Sequence, residues 1–138
     1  MGAVLVDEGR WPLVVVRWPA GVATDEQVDE MLRELARLYG RQHAVLYDAV
    51  RAAGVTSRQR MRFSEHVSRY DAEVRQWVVA CAAVAPSLFV RQLINTVQWV
   101  APSPCPFKAF ADRSEAEDWL YHALRRAGAW RPSAESPH

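Results

Sequence analysis

The sequence predicts an α/β domain: a mixed, mostly parallel sheet of about five strands, an antiparallel hairpin at its N-terminus, and about four helices. Three observations lead there. Short valine-rich runs alternate with longer segments whose apolar residues recur at the helical period, and strands alternating with helices imply parallel pairing through right-handed crossovers. The run from Trp77 to Ala85 is almost unbroken in its apolar character, as in a strand covered on both faces. The first two apolar runs flank a short Gly-containing turn, which reads as a hairpin.

In chain order, Ala3 to Val6 and Leu13 to Trp18 are the hairpin strands, with Glu8-Gly9-Arg10 as the turn and Pro12 and Pro19 bracketing the second strand. Thr24-Asp25-Glu26-Gln27 is a capping box: Thr24 caps, and Gln27 reaches back to the capping amide. Val28, Met31, Leu32, Leu35 and Leu38 give the first helix one apolar face, and Gly40 stops it. Ala44 to Tyr47 is a short buried strand ending on Asp48. Ser57 opens a second helix with Met61, Phe63, Val67 and Tyr70 as its inner residues. After the strand from Trp77 to Ala85, Ser87 starts a third helix carrying Val90, Leu93, Ile94 and Val97. The prolines of the loop 101–106 cannot continue it. Phe107 to Phe110 is a last strand. Ser114-Glu115-Ala116-Glu117 reads as a second capping box, with Trp119, Leu120, Ala123 and Leu124 inward and Gly128 at the end. The reading is one domain over 1–128 and a disordered Pro/Ser tail over 129–138.

At 138 residues and 50% hydrophobic composition the chain can bury a real core. A net charge of +1 supplies no global field for nucleic acid, and Lys108 is the only lysine, so positive charge is carried by arginine. No apolar run approaches the ~20 residues of a membrane span, and the start, with its Asp7-Glu8 pair, does not read as a signal peptide. The expectation is a cytoplasmic protein without stable membrane insertion. Cys81 reads as a small buried residue, Cys105 as a loop residue between two prolines, and both as reduced thiols. His43, His66, His122 and His138 are scattered, without metal-ligand spacing. Nucleotide-binding and nucleophile-elbow fingerprints are absent from the sequence. The expectation is therefore a non-enzymatic chain with no cofactor and no metal.

Three segments carry a resemblance. "TDEQVDEMLRELARLY" follows the hairpin, "AVLYDAVRAAGVTSRQR" runs from a strand ending in Asp48 to a Ser at a helix start, and "FKAFADRSEAEDWL" joins a late strand to a helix. Together with the element order over residues 3 to 126, they resemble the STAS domain and the related SpoIIAA-like proteins of the STAS/SEC14 group, the anti-sigma-factor-antagonist fold. The resemblance implies a regulatory module that binds a protein, with Ser57 or Thr56 as the phosphorylation switch. The family's motif at the helix start is Asp-Ser-(Ser/Thr)-Gly. Here Thr56 stands in the acidic position, and Arg58 and Gln59 replace the small residues.

The residues themselves give a parallel reading. Ser57 can cap its helix, and a phosphate there would be favoured by the helix N-terminus and by Arg58, Arg60 and Arg62. Along their own helix those arginines and Arg69 face only Glu65, so the surplus charge either is a solvated face or meets an acidic partner or anion, with His66 extending the site. Asp48 ends a strand where open α/β sheets place ligands, or it caps the loop. Phe89 and Trp99 bracket the third helix outside its apolar stripe. They either wrap the core's edge or make an exposed patch for a partner or a second copy of the chain. Two functions follow: a docking module centred on the loop and helix at Ser57, with an unidentified protein partner, or a SEC14-like small-molecule or lipid binder using the arginines at a head group.

Overall fold

The computed structural model describes residues 4–85, 88 and 104–129. The helix expected from Ser87, the candidates Phe89 and Trp99 on it, and the tail after Ala129 lie outside the described residues. Among the described residues five strands form one sheet: β1 (Leu5–Arg10), β2 (Leu13–Arg17), β3 (His43–Asp48), β4 (Val78–Val84) and β5 (Phe107–Phe110). Their order across the sheet is their order in the chain. β1 and β2 are antiparallel, and the other three pairs are parallel. Among the described residues the helices are α1 (Asp25–Ala36), α2 (Ser57–Arg69), α3 (Asp71–Trp77) and α4 (Arg113–Arg126). The expected mixed α/β architecture is present.

Strand alternation divides the core in two. Val14 and Val16 of β2, Val45 of β3 and Cys81 of β4 face α1, with Val28, Met31, Leu32 and Leu35 against them. Leu13, Val15, Ala44, Leu46, Ala82 and Val84 face the other way and meet Ala116, Leu120 and Leu124 of α4. Each fully buried Leu or Val contributes about 1.5–3 kcal/mol to burial.

Local chemistry adjusts several expected boundaries. The hairpin turns at Trp11-Pro12, where the Trp11 amide donates to the Glu8 carbonyl at 3.0 Å. Glu8-Gly9 is not the turn. It lies inside β1 where the register shifts between Asp7 and Arg10, and Asp7 Oδ1 accepts from the Gly9 amide at 2.8 Å, as at a bulge. Trp77 belongs to a helix, and β4 begins at Val78. α3 has one buried residue, Val74, so it carries no apolar period to read. In α2 Met61 points outward at 65% exposure, whereas Phe63, Val67 and Tyr70 are half-buried. The cap of α4 is Asp112, whose side chain accepts from the Ser114 amide at 2.9 Å. With Asp112 as the cap the third helical position is Glu115, so Glu117 lies outside any capping box, and its carboxylate is held by Arg10 and Arg113. At the other end Gly128, at φ 73°, donates to Arg125, and Ala129 donates to Leu124. This Schellman closure favours glycine at that position.

Candidate functional site

The site begins where β2 and β3 end. The loops after them are joined by a short parallel bridge between Gly21 and Ala52. The Gly21 amide donates to Arg51 at 3.2 Å, and the Ala53 amide donates back to Gly21 at 2.7 Å. Three large apolar side chains on these loops are exposed: Val22, Val50 and Val55.

The second loop leads into α2 through a cap that differs from the expected one. Thr56, not Ser57, is the cap. Its hydroxyl accepts from the Gln59 amide at 3.0 Å, and the Gln59 side chain accepts from the Thr56 amide at 3.2 Å. Gln59 is itself buried and donates to the Ala23 carbonyl at 2.7 Å and to Asp25 at 3.3 Å. One amide thus ties the start of α2 to the start of α1. With Thr56 capping, Ser57 is the first helical residue, exposed, and its hydroxyl accepts from Arg60 at 3.0 Å.

The arginines of α2 do not form an unpaired face. Arg58 pairs with Asp25 at 3.5 Å, and Arg62 grips the Asp29 carboxylate of α1. The signal was present in the sequence: Asp25 and Asp29 are four apart on one helix, and Arg58 and Arg62 are four apart on the next. Arg60 turns to Ser57 and to the Val55 carbonyl. Arg69 lies over the Tyr70 ring, 5.5 Å from its centroid.

Asp48 stands apart from all of these. It shares the strand face of Ala44 and Leu46 and turns toward α4, where its carboxylate accepts from Arg113 at 3.0 Å and from the Val50 amide at 3.3 Å. The loop-capping reading fits the second contact. Arg113 also binds Glu117, which in turn binds Arg10 of β1. The hydrogen bonds from Arg10 above all, and those from Arg113, hold the Glu117 carboxyl below its ordinary range.

A second polar cluster lies at the opposite, amino end of β3. His43 is fully buried beside Trp11 and Tyr39. Its Nδ1 donates to the Arg41 carbonyl at 2.8 Å, which leaves Nε2 a bare acceptor with no partner among the described residues. His66 is half-buried rather than a surface residue and shares a hydrogen bond with the Tyr39 hydroxyl at 2.9 Å. Desolvation depresses both histidines' pKa values, and for His66 the nearby Arg69 adds to it. Next to His66 an open groove of about 560 Å³ runs between α1 and α2, lined by Leu32, Ala36, Arg37, Arg69 and Tyr70 among others.

Cys105, expected in a loop, is buried against Cys81. Among the described residues no group of three His, Cys, Asp or Glu side chains could hold a metal ion, and no helix is long and apolar enough to cross a membrane.

No protein-family model and no curated protein matches the sequence. Among solved structures, the chain is similar to an uncharacterized protein of the DUF3478 family with a SpoIIAA-like fold from Shewanella loihica PV-4. The TM-score is 0.65 and the identity 19%, over 86% of this chain and 92% of that one. The element order, the register of the sheet and this likeness lead to one conclusion: the chain carries a SpoIIAA-like, STAS-type fold.

Proposed function

We propose that the protein is a non-enzymatic interaction module that docks a protein partner on the loops after β2 and β3 and on the first turns of α2. The observation that carries this reading is the bridge between Gly21 and Ala52. It holds two loops as one surface on which Val22, Val50 and Val55 are exposed, with Met61 one turn into α2. Clustered exposed apolar side chains are typical of recognition sites. Arg51, Arg58 and Arg60 are exposed beside them, and Asp48 is turned to the other face. The complementary partner offers an apolar contact ringed by carboxylates.

Ser57 is the better candidate for a switch than Thr56. The Thr56 hydroxyl is committed to the cap, so modifying it would cost about 1 kcal/mol of helix stability. The Ser57 hydroxyl is exposed and already faces Arg60. A phosphate there would gain a charge-assisted pair and the helix N-terminus, and would set a dianion beside the apolar docking contacts.

The test compares capture of partners from native extract by wild type, by Val50→Glu/Val55→Glu and by Ser57→Asp. The reading expects one partner that wild type retains and that both variants lose at least tenfold, with melting temperatures unchanged. Equal retention by all three chains, or no specific partner, overturns it.

A second reading, an anion-binding module, is favoured by the groove between α1 and α2. Among the described residues Arg37 and Arg69 make no ion pair there. The lining is mixed and the groove open, which suits an anionic head group better than an apolar tail.

A further inference from the structure

We propose that Cys81 and Cys105 are a peroxide-responsive dithiol that closes reversibly to an intramolecular disulfide. They are the only two cysteines of the chain, 24 residues apart, and the fold brings their sulfurs to 3.6 Å inside the α1-side core. Strand geometry explains the meeting. Cys81 lies opposite Phe107 in the parallel ladder, and Cys105 is two residues before Phe107, hence on the same face. The Cys81 amide donates to the Pro106 carbonyl at 2.8 Å, which fixes the two backbones side by side. Pro104 and Pro106 flank Cys105 and restrict its neighbours' backbone. A disulfide needs sulfurs about 2.05 Å apart, so closure requires a further approach of about 1.5 Å, within the reach of side-chain rotation.

The chemistry balances with hydrogen peroxide as oxidant. One sulfur, as thiolate, attacks a peroxide oxygen. The S–O bond forms, the O–O bond breaks, and the departing hydroxide takes up the proton that the thiol released. The second sulfur then attacks the sulfenic sulfur. The S–S bond forms, the S–O bond breaks, and the hydroxyl leaves as water with the second thiol's proton. Two thiols and one peroxide give one disulfide and two waters. The buried site shapes the selectivity. The hydrogen bond shared with Cys105 and then burial hold the Cys81 thiol above its ordinary range, so reaction is slow and restricted to small oxidants. The adjacent sulfur resolves a sulfenic acid before a second peroxide can reach it. The bridge would link β4 to the residue entering β5 and close the chain between them.

The test uses the full reduced chain. It is treated with hydrogen peroxide under native conditions, then denatured, alkylated and weighed intact. The expected product is a monomer two hydrogens lighter, without alkylated thiols, reversed by dithiothreitol, and melting higher by on the order of 10 °C. Cys105→Ser, or Cys81→Ala should that variant not fold, loses this product. Two alkylated thiols after treatment, oxygen adducts on a monomer, or disulfide-linked dimers overturn the proposal, and the wild-type result decides even without a variant.

Discussion

The two faces of the sheet are built from different chemistry. On the α4 side the buried side chains are aliphatic apart from Phe110, and eight of the eleven come from alternate positions of the strands. On the α1 side the core also holds both cysteines, and His43, Tyr39, Tyr47, Tyr70, Trp11 and Trp18 pack along it. The α4 face is inert packing that specifies the fold. The α1 face gives up some of that uniformity for buried hydrogen-bonded and titratable groups, whereas those on the α4 side, Asp48 and Glu117 with their arginines, are partly exposed.

The contrast can be broken most severely on the inert side. Leu120→Ala removes a side chain with no exposure from the middle of that packing, and should cost about 2–5 kcal/mol in chemical denaturation. A loss below 1 kcal/mol would mean that this face is loosely filled. On the other side, Gln59→Leu keeps the volume but leaves the Thr56 amide and the Ala23 carbonyl without their partner. The expected loss is about 2 kcal/mol, with α1 and α2 less tightly coupled in hydrogen exchange.

The smallest effect is the most diagnostic. His43 and His66 have depressed pKa values in the folded chain, from desolvation in both and from Arg69 in the second. The unfolded chain therefore binds protons that the folded chain refuses once the pH falls below about 6.5. Stability is flat above that value and declines below it, by at most ~1.4 kcal/mol per pH unit for each group. His43→Phe should flatten part of that decline between pH 7.5 and 5.5. An unchanged slope would show that the buried ring is not what responds to acid.

Much of this arrangement was legible in the sequence. The capping box at Thr24, the period of α1 and the valine-rich strands each combine a local signal with a tertiary demand that agrees with it. The rest depends on placement between elements. α3 has too few buried residues to show a period. The contact between Cys81 and Cys105 depends on the register of β4 against β5, which spacing alone cannot supply. Thr56 and Ser57 are adjacent polar residues with equal claims to a cap, and the choice fell to the residue three positions before a glutamine. For Asp48 the signal is local: alternation along β3 assigns it to the side of Ala44 and Leu46, away from the arginines of α2.

The order of the sheet has a consequence for synthesis. Because each strand is laid beside its predecessor, α1, α2 and α3 join the same side, and among the described residues Ala116, Leu120 and Leu124 of α4 are what meets the other. A chain emerging from the ribosome can complete β5 while Leu13, Val15, Leu46 and Val84 still face water. Until α4 has cleared the exit tunnel, the nascent protein presents a wide greasy surface, and that interval is when it is most exposed to aggregation and most open to chaperones.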